Sequence, residues 1–239
     1  MIVVAHRGWP QRYSENTLAS FRGALALGVD AIEFDVRLTR DGRLAVIHDA
    51  DTQRTTGAPG LVAGMTLDEV KRLDAGARLG PAFAGERTPV LEEVLELVAG
   101  RAALAIEVKP PGAATARTVE ALIPILAAYA GKFIIHSFDA EFLRAFRAAS
   151  PKTDTGLLCA ASDETIALAR DIGCTAIHPE WGSMTPELNA AIRRAGLRIM
   201  VWTARTEADC AAILDHIDTD SVAADCPDIL LHLLRRDAR

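Results

Sequence analysis

Strand-like runs that alternate with helix-like runs are the feature that most constrains the fold of this chain. Repeated β-then-α units predict parallel strands joined by right-handed crossovers. The strand candidates, in chain order, are MIVVAH, AIEFDVRL, RLAVIHD, ALAIEVK, KFIIHSF, TGLLCA, TAIHPEW, LRIMVWT and SVAAD. Because so many strands lie within 239 residues, the pattern favours one α/β domain, a (β/α)8 barrel, over an open sheet.

Two details leave the strand arrangement open. AIEFDVRL and RLAVIHD have no helix pattern between them, so a hairpin around Asp41 and Gly42 is an alternative to a parallel pair. There are also nine candidates for the eight places in the barrel. We therefore interpret SVAAD as a minor extra strand.

Residues 51–90 interrupt the alternation. This segment is rich in Gly, Pro and Thr, has one short helix candidate at TLDEVKRLD, and directly follows His48 and Asp49. A plain surface loop is one interpretation. The other is a lid or wall over the site, because long loops in compact domains are usually functional.

Composition argues against several classes of partner. The net charge of −6 does not favour binding to nucleic acid or to an anionic membrane surface. No apolar run approaches the length of a membrane span. The first residues contain no basic or apolar targeting segment, and the four scattered cysteines form no CxxC pair. We therefore expect a cytoplasmic protein with reduced cysteines.

Ionisable residues gather at the ends of the first strand candidates. Barrel enzymes build their sites where strands end and loops begin, so this distribution predicts an active site. The residues at these positions are His6, Arg7, Glu33, Asp35, His48, Glu107 and Lys109.

Three of these residues are carboxylates. Glu33 and Asp35 are two residues apart and so point to the same side of a strand. If Glu107 joins them in a barrel mouth, the three repel one another unless a cation is present. Oxygen ligands alone favour a hard divalent ion, Mg²⁺ or Ca²⁺, over zinc. Structural salt bridges to Arg7, Arg37 or Lys109 are the alternative.

The remaining groups suit phosphate chemistry. His6 and His48 form the natural acid–base pair, since imidazole exchanges protons near neutral pH. The Arg7 guanidinium and the Lys109 ammonium predict an anion in the site, and Gly8 lets the backbone pass close to it. A metal, two cations and two histidines around an anion indicate phosphodiester cleavage.

The ordered motifs HRG, ENT, ExD, HD, ExK, SF and WT, with FAGE and TPVLEEVL between them, resemble the glycerophosphodiester phosphodiesterase family. The resemblance runs from His6 to near Pro227. It implies a TIM-type barrel spanning 1–239 with a small inserted subdomain at 51–90. It also implies a divalent metal and hydrolysis of small-molecule glycerophosphodiesters to glycerol 3-phosphate and an alcohol. By matching motif, the catalytic residues are His6 and His48, the metal ligands are Glu33, Asp35 and Glu107, and the phosphate contacts are Arg7 and Lys109.

The resemblance implies further roles. Glu15 and Asn16, in ENT, brace the site from behind it, with simple helix capping as the alternative. Phe138 and Trp202 wall the alcohol pocket. The family often has WTVN where this chain has WTAR, so Arg205 changes one rim of that pocket. The resemblance also implies that the substrate's own 2-hydroxyl attacks phosphorus before water does.

Two other functions stay open at this point. One is a lysophospholipase D-like phosphodiesterase, which needs an apolar groove for an acyl chain. The other is a non-catalytic barrel that binds a phosphorylated metabolite. The sequence does not distinguish Mg²⁺ from Ca²⁺, identify the alcohol or give the oligomeric state.

Overall fold

Eight parallel strands close into a barrel in the computed structural model, which describes residues 1–237. The order around the barrel is β1-β9-β8-β7-β6-β5-β4-β2, and pairing of β1 with β2 closes it. The strands are β1 (Ile2–His6), β2 (Ala31–Leu38), β3 (Leu44–Val46), β4 (Ala103–Val108), β5 (Phe133–Ser137), β6 (Thr155–Cys159), β7 (Ala176–Pro179), β8 (Arg198–Ala204) and β9 (Ser221–Ala224).

Helices surround the barrel and form part of the insertion. They are α1 (Leu18–Leu27), α2 (Gln53–Thr56), α3 (Leu67–Lys71), α4 (Leu91–Val98), α5 (Thr115–Ala127), α6 (Ala140–Ala149), α7 (Asp163–Ile172), α8 (Pro186–Arg194), α9 (Glu207–His216) and α10 (Pro227–Asp237). Short 3₁₀ turns lie at Val62–Gly64, Ala77–Leu79, Pro81–Phe83, Gly112–Ala114 and Trp181–Ser183. Within residues 1–237, none of the helices has both the length and the apolar character that crossing a membrane demands.

The extra strand is β3, and the interpretation of SVAAD as the extra strand is wrong. β3 runs antiparallel to β2, with Val36 opposite Val46, so the hairpin alternative is confirmed. The turn between them, with Gly42 at φ 79°, is too short for the crossover that a parallel pair needs. β9 pairs in parallel with both β1 and β8 and is therefore an integral barrel strand.

Alternation along the strands separates two kinds of side chain. On β2, Ile32 and Phe34 are fully buried in the main core against the helices. Ala31 belongs instead to a second cluster with Val4, Ala105, Met200 and Ala223 inside the barrel. Because side chains two residues apart share a face, the inner face of β2 continues from Ala31 to Glu33 and Asp35. The barrel interior therefore changes from small apolar residues to ionisable ones toward the carboxyl ends of the strands.

The turn after β1 is tied to the start of α1. Thr17 caps the helix by accepting a hydrogen bond from the backbone N–H of Ser20. The Ser20 hydroxyl donates to the carbonyl of Arg7 (3.0 Å) and accepts from the N–H of Trp9 (2.7 Å). Gly8 has φ 87°, and a Cβ atom there would lie 2.3 Å from Ser20 Oγ. Only glycine therefore fits this turn, which fixes the backbone of Arg7.

The segment 51–90 packs on the β2–β3 hairpin through a small apolar cluster. Val62, Leu67 and Val70 from the segment join Ala45 and Ile47 in this cluster. A reciprocal capping box between Thr66 and Glu69 begins α3. The segment is therefore anchored by its own small apolar cluster, beside the carboxyl ends of the barrel strands.

Candidate active site

Three buried carboxylates meet at the carboxyl end of the barrel. Glu33 and Asp35 lie on β2 and Glu107 lies on β4, where Asp35 and Glu107 are paired in register. One oxygen from each lies within 4.8 Å of the others, and each side chain is at least nine-tenths buried. A set of oxygen donors this close suits a hard divalent ion. The residues present therefore fit the metal that the sequence predicts.

The charges in this cluster are unevenly compensated. Lys109 Nζ lies 2.8 Å from Asp35 Oδ1 and 2.5 Å from Glu107 Oε1, and Arg7 Nε lies 3.3 Å from Asp35 Oδ2. Burial alone would raise the pKa of Asp35, but Lys109 and Arg7 outweigh burial and lower it. Burial and the charge of Asp35 raise the pKa of Glu107 to about 7 and that of Glu33 well above its ordinary value.

The salt-bridge alternative accounts for only part of the cluster. Arg7 and Lys109 do pair with Asp35, whereas Arg37 donates to the backbone carbonyl of His48. Among the described residues, no lysine or arginine lies within ion-pair distance of Glu33. The two cations therefore leave Glu33 without a positively charged partner, which a divalent ion would supply.

Each predicted acid–base histidine is held by an aspartate. His6 Nδ1 lies 2.6 Å from Asp225 Oδ1, and His48 Nδ1 lies 2.7 Å from Asp49 Oδ1. A carboxylate only accepts, so both Nδ1 atoms carry a proton and both Nε2 atoms are free for proton transfer. His6 Nε2 lies 3.9 Å from Glu33 Oε2, beside the carboxylate cluster. Burial lowers the pKa of His48, which favours its neutral form.

The ENT element contacts the site directly. Asn16, at φ 57°, donates from its side chain to Asp35 Oδ2 (2.7 Å) and accepts from the Asp35 backbone N–H (3.3 Å). Glu15 accepts from Arg7 (3.0 Å) and from both terminal nitrogens of Arg54 (2.7 and 2.8 Å). Helix capping belongs to Thr17 instead. Glu15 and Asn16 therefore hold, respectively, a predicted phosphate contact and a predicted metal ligand.

A cavity of about 300 Å³ adjoins these groups. Phe138 and Trp202 meet edge to face across one side of it, with ring centroids 5.5 Å apart. Arg205 also lines the cavity, and its Nε lies 3.8 Å from Asp225 Oδ2. Two larger cavities, of about 990 and 440 Å³, are lined by residues at the opposite, amino end of the barrel, and neither contains a predicted site residue.

Two residues of this site, Asp225 and Arg54, are not among those predicted from the sequence. Asp225 is the last residue of SVAAD and directly follows β9. If SVAAD is interpreted as a barrel strand, Asp225 is an ionisable residue at a strand end, like the predicted site residues. Arg54 lies in the insertion and donates to both Asp49 (2.6 Å) and Glu15. No local pattern identifies Arg54, because its contacts join three separate parts of the chain.

Comparisons with known proteins identify the family of this chain. Residues 6–229 match the model of the glycerophosphoryl diester phosphodiesterase family. The chain belongs to this family. A glycerophosphodiester phosphodiesterase from Caldanaerobacter subterraneus subsp. tengcongensis is 36% identical over 98% of both chains. The predicted family and enzyme class, a glycerophosphodiester phosphodiesterase, are thus confirmed.

Solved structures of the family share the fold. A phosphodiesterase from Oleispira antarctica, in complex with the product sn-glycerol-3-phosphate, matches with a TM-score of 0.93 and 27% identity over 98% of this chain and 97% of that one. A glycerophosphodiester phosphodiesterase from Agrobacterium tumefaciens matches with a TM-score of 0.84 and 30% identity, over 97% and 99% of the two chains. The predicted TIM-type barrel is confirmed.

Metal affinity should depend on pH, because burial raises the pKa of Glu107 to about 7 and that of Glu33 well above its ordinary value. A bound proton must leave either carboxyl group before that group can bind a cation. We expect the affinity for Mg²⁺ or Ca²⁺ to fall as pH drops below 7, by up to about tenfold per unit for each proton released. Isothermal titration calorimetry across this range measures both affinity and proton release.

Glu107→Gln should bind metal weakly and lose the part of this pH dependence that comes from Glu107. Relief of carboxylate repulsion offsets the lost contacts, so its free energy of unfolding should stay within about 2 kcal/mol of the wild type. Glu120→Gln makes the same chemical change at an exposed position and should leave metal affinity unaltered. A Glu107→Gln protein with wild-type affinity would remove Glu107 from the set of ligands.

Proposed function

We propose that this chain hydrolyses glycerophosphodiesters to glycerol 3-phosphate and an alcohol. Glu33, Asp35 and Glu107 would hold Mg²⁺ or Ca²⁺, and His6 and His48 would transfer protons. The observation that carries the proposal is the junction of a buried oxygen cluster with two aspartate-held histidines around one cavity. When bound, the ion supplies positive charge for the transition state and lowers the pKa of an attacking hydroxyl.

Arg7 and Lys109 are the groups of this chain that bind the phosphate. Arg7 has Glu15 and Asp35 on its guanidinium, and these fix its direction toward the cavity. Burial alone would lower the pKa of Arg7, but Asp35, Glu15 and Glu33 outweigh burial and raise it, so it stays charged. The planar fork of an arginine suits two phosphate oxygens, whereas Lys109 adds a point charge.

Proton transfer divides between the two histidines. The pKa of His48 is lowered chiefly by burial, so His48 is neutral at pH 7 and suits the role of base in the first step. His6, whose Nδ1 donates to Asp225, enters this step with a second proton on Nε2 and gives that proton to the leaving alkoxide. The two roles exchange in the second step, because the group that gave a proton must take one back.

The substrate's own 2-hydroxyl is the first nucleophile in this proposal. It lies next to the phosphorylated carbon, so its attack avoids the entropy of recruiting a second reactant, on the order of several kcal/mol. The product of this step is a cyclic phosphate, and water opens it in the second step. His6 and His48 serve both steps without any further proton carrier.

The size of the cavity favours small alcohols over lipids. Its volume of about 300 Å³ lies at the lower end of the range for small-molecule sites. That volume suits a glycerophosphate with a small head group and leaves no groove for a long acyl chain. Binding of a phosphorylated metabolite alone would not require His6 and His48 to be held by aspartates for proton transfer.

Removal of either histidine should stop turnover in a release assay over choline, ethanolamine, glycerol and inositol glycerophosphodiesters. His6→Ala and His48→Ala should each lower kcat about a hundredfold or more, the usual scale for losing a general acid or base. His216→Ala, on the exposed face of α9, is the matched control and should keep wild-type kcat. A folded His6→Ala or His48→Ala protein with near-normal kcat would disprove the proton-transfer role of that residue.

Absence of turnover on every diester by the wild type would overturn the proposed function.

The nucleophile is tested with matched substrates that differ only at the 2-hydroxyl. We expect a 2-deoxy glycerophosphodiester to bind but to be hardly cleaved at saturating metal, because the internal attacking group is missing. Phosphorus NMR during turnover of the normal substrate should show the cyclic phosphate. Equal kcat for the two substrates would mean that water attacks directly, with the metal and histidine assignments unaffected.

A further inference from the structure

Two buried histidines inside the barrel have no part in the mechanism above. His136, on β5, and His178, on β7, are 1% and 2% exposed. Their Nδ1 atoms lie 2.9 Å apart, which is hydrogen-bond distance. β6 separates the two strands, and Gly156 on it leaves room for the contact: a Cβ atom at Gly156 would lie 2.7 Å from His178 Cε1. The backbone carbonyl of His178 also accepts from Trp202 Nε1 (2.7 Å).

The outer nitrogen of His136 points to the carboxylate cluster. His136 Nε2 lies 3.8 Å from Glu33 Oε1 and has no hydrogen-bond partner among residues 1–237. It also lines the active-site cavity. Glu33 is held at its other oxygen, since Oε2 accepts from the backbone N–H of Arg7 at 3.1 Å. His136 therefore faces Oε1 of Glu33, the oxygen that the backbone of Arg7 does not hold.

The contact between the two rings decides which nitrogen of His136 carries the proton. Both rings are almost fully buried, which disfavours their charged forms, so both are neutral. Of two neutral rings joined through Nδ1, one must donate and the other must accept. If His136 donated, its bare Nε2 lone pair would face Glu33, which must be ionised to hold a cation, and that contact is repulsive in a buried site. With His178 as the donor, His136 turns an N–H toward Glu33 instead.

We propose that His136 is a positioning residue for Glu33, that His178 sets the tautomer of His136, and that the pair thereby raises the affinity of the carboxylate cluster for its divalent ion. The inference rests on the proposed metal site. Groups that orient a metal ligand from behind it typically change metal affinity by about 10- to 100-fold when they are removed. Neither histidine contacts the ion or the substrate in this account.

The test measures the dissociation constants of Mg²⁺ and Ca²⁺ by calorimetry, on variants that separate shape from hydrogen bonding. His136→Phe keeps a ring and removes both nitrogens, whereas His136→Gln restores an N–H near the place of Nε2. His178→Phe and His178→Asn make the same comparison at the other ring, since asparagine presents an N–H near the place of Nδ1. His216→Gln is the control at an exposed position, and circular dichroism and thermal melting check folding.

We expect His136→Phe to raise the dissociation constant about tenfold or more and His136→Gln to stay within about threefold of the wild type. His178→Phe should also weaken binding, and His178→Asn should restore much of it. The double variant His136→Phe/His178→Phe should bind no more weakly than His136→Phe alone, because His178 acts through His136. If His136→Phe does not fold, the comparison of His178→Phe with His178→Asn decides in the same way.

Three results would overturn the inference: wild-type affinity in His136→Phe, equal losses in His136→Phe and His136→Gln, or additive losses in the double variant. The last two would mean that the pair only supports packing. These results leave the proposed function intact if the wild type binds metal and cleaves glycerophosphodiesters. A wild type that binds neither ion would overturn both this inference and the proposed metal site.

Discussion

Mutual repulsion among three buried carboxylates is the constraint on which the rest of this structure depends. Glu33, Asp35 and Glu107 converge because alternate residues of β2 and β4 face the inside of a closed barrel. Burial makes their repulsion large, and it appears as raised pKa values at Glu33 and Glu107. Lys109 and Arg7 relieve it chiefly at Asp35. A buried cluster of this kind suits a divalent cation.

The two proposed acid–base histidines are held by aspartates in different parts of the chain. Asp225, after the last barrel strand, holds His6 on the first. Asp49 holds His48 and is itself bound by Arg54 of the insertion, which also reaches Glu15 behind Arg7. The pKa of Asp49 is lowered to about 2, because hydrogen bonds from Arg54 and His48 outweigh its burial. The insertion therefore joins the aspartate that holds His48 to the glutamate that holds Arg7, so it contributes a residue to the site.

Prediction from sequence was successful where a local pattern carries the information. The alternation of strands and helices predicts the barrel. The spacing of Glu33 and Asp35, and the place of Glu107 at the end of another strand, predict that the three carboxylates lie together. Prediction fails where the information lies in closure of the barrel: interpretation of Ser221–Ala224 as an extra strand leaves Asp225 out of the predicted site. The contact between His136 and His178 depends on the stagger of two strands that are not neighbours and on the small Gly156 between them. No spacing along the chain expresses that arrangement.

The most direct test of the central claim is turnover of a glycerophosphodiester by wild-type protein after exhaustive chelation and then re-addition of Mg²⁺ or Ca²⁺. If the carboxylate cluster is a metal centre that drives hydrolysis, activity is lost with the ion and returns with it. The melting temperature of the same samples should rise as the ion relieves carboxylate repulsion. Full activity after chelation, in protein shown to be free of metal, would contradict the account and leave the cluster as a purely structural set of ion pairs.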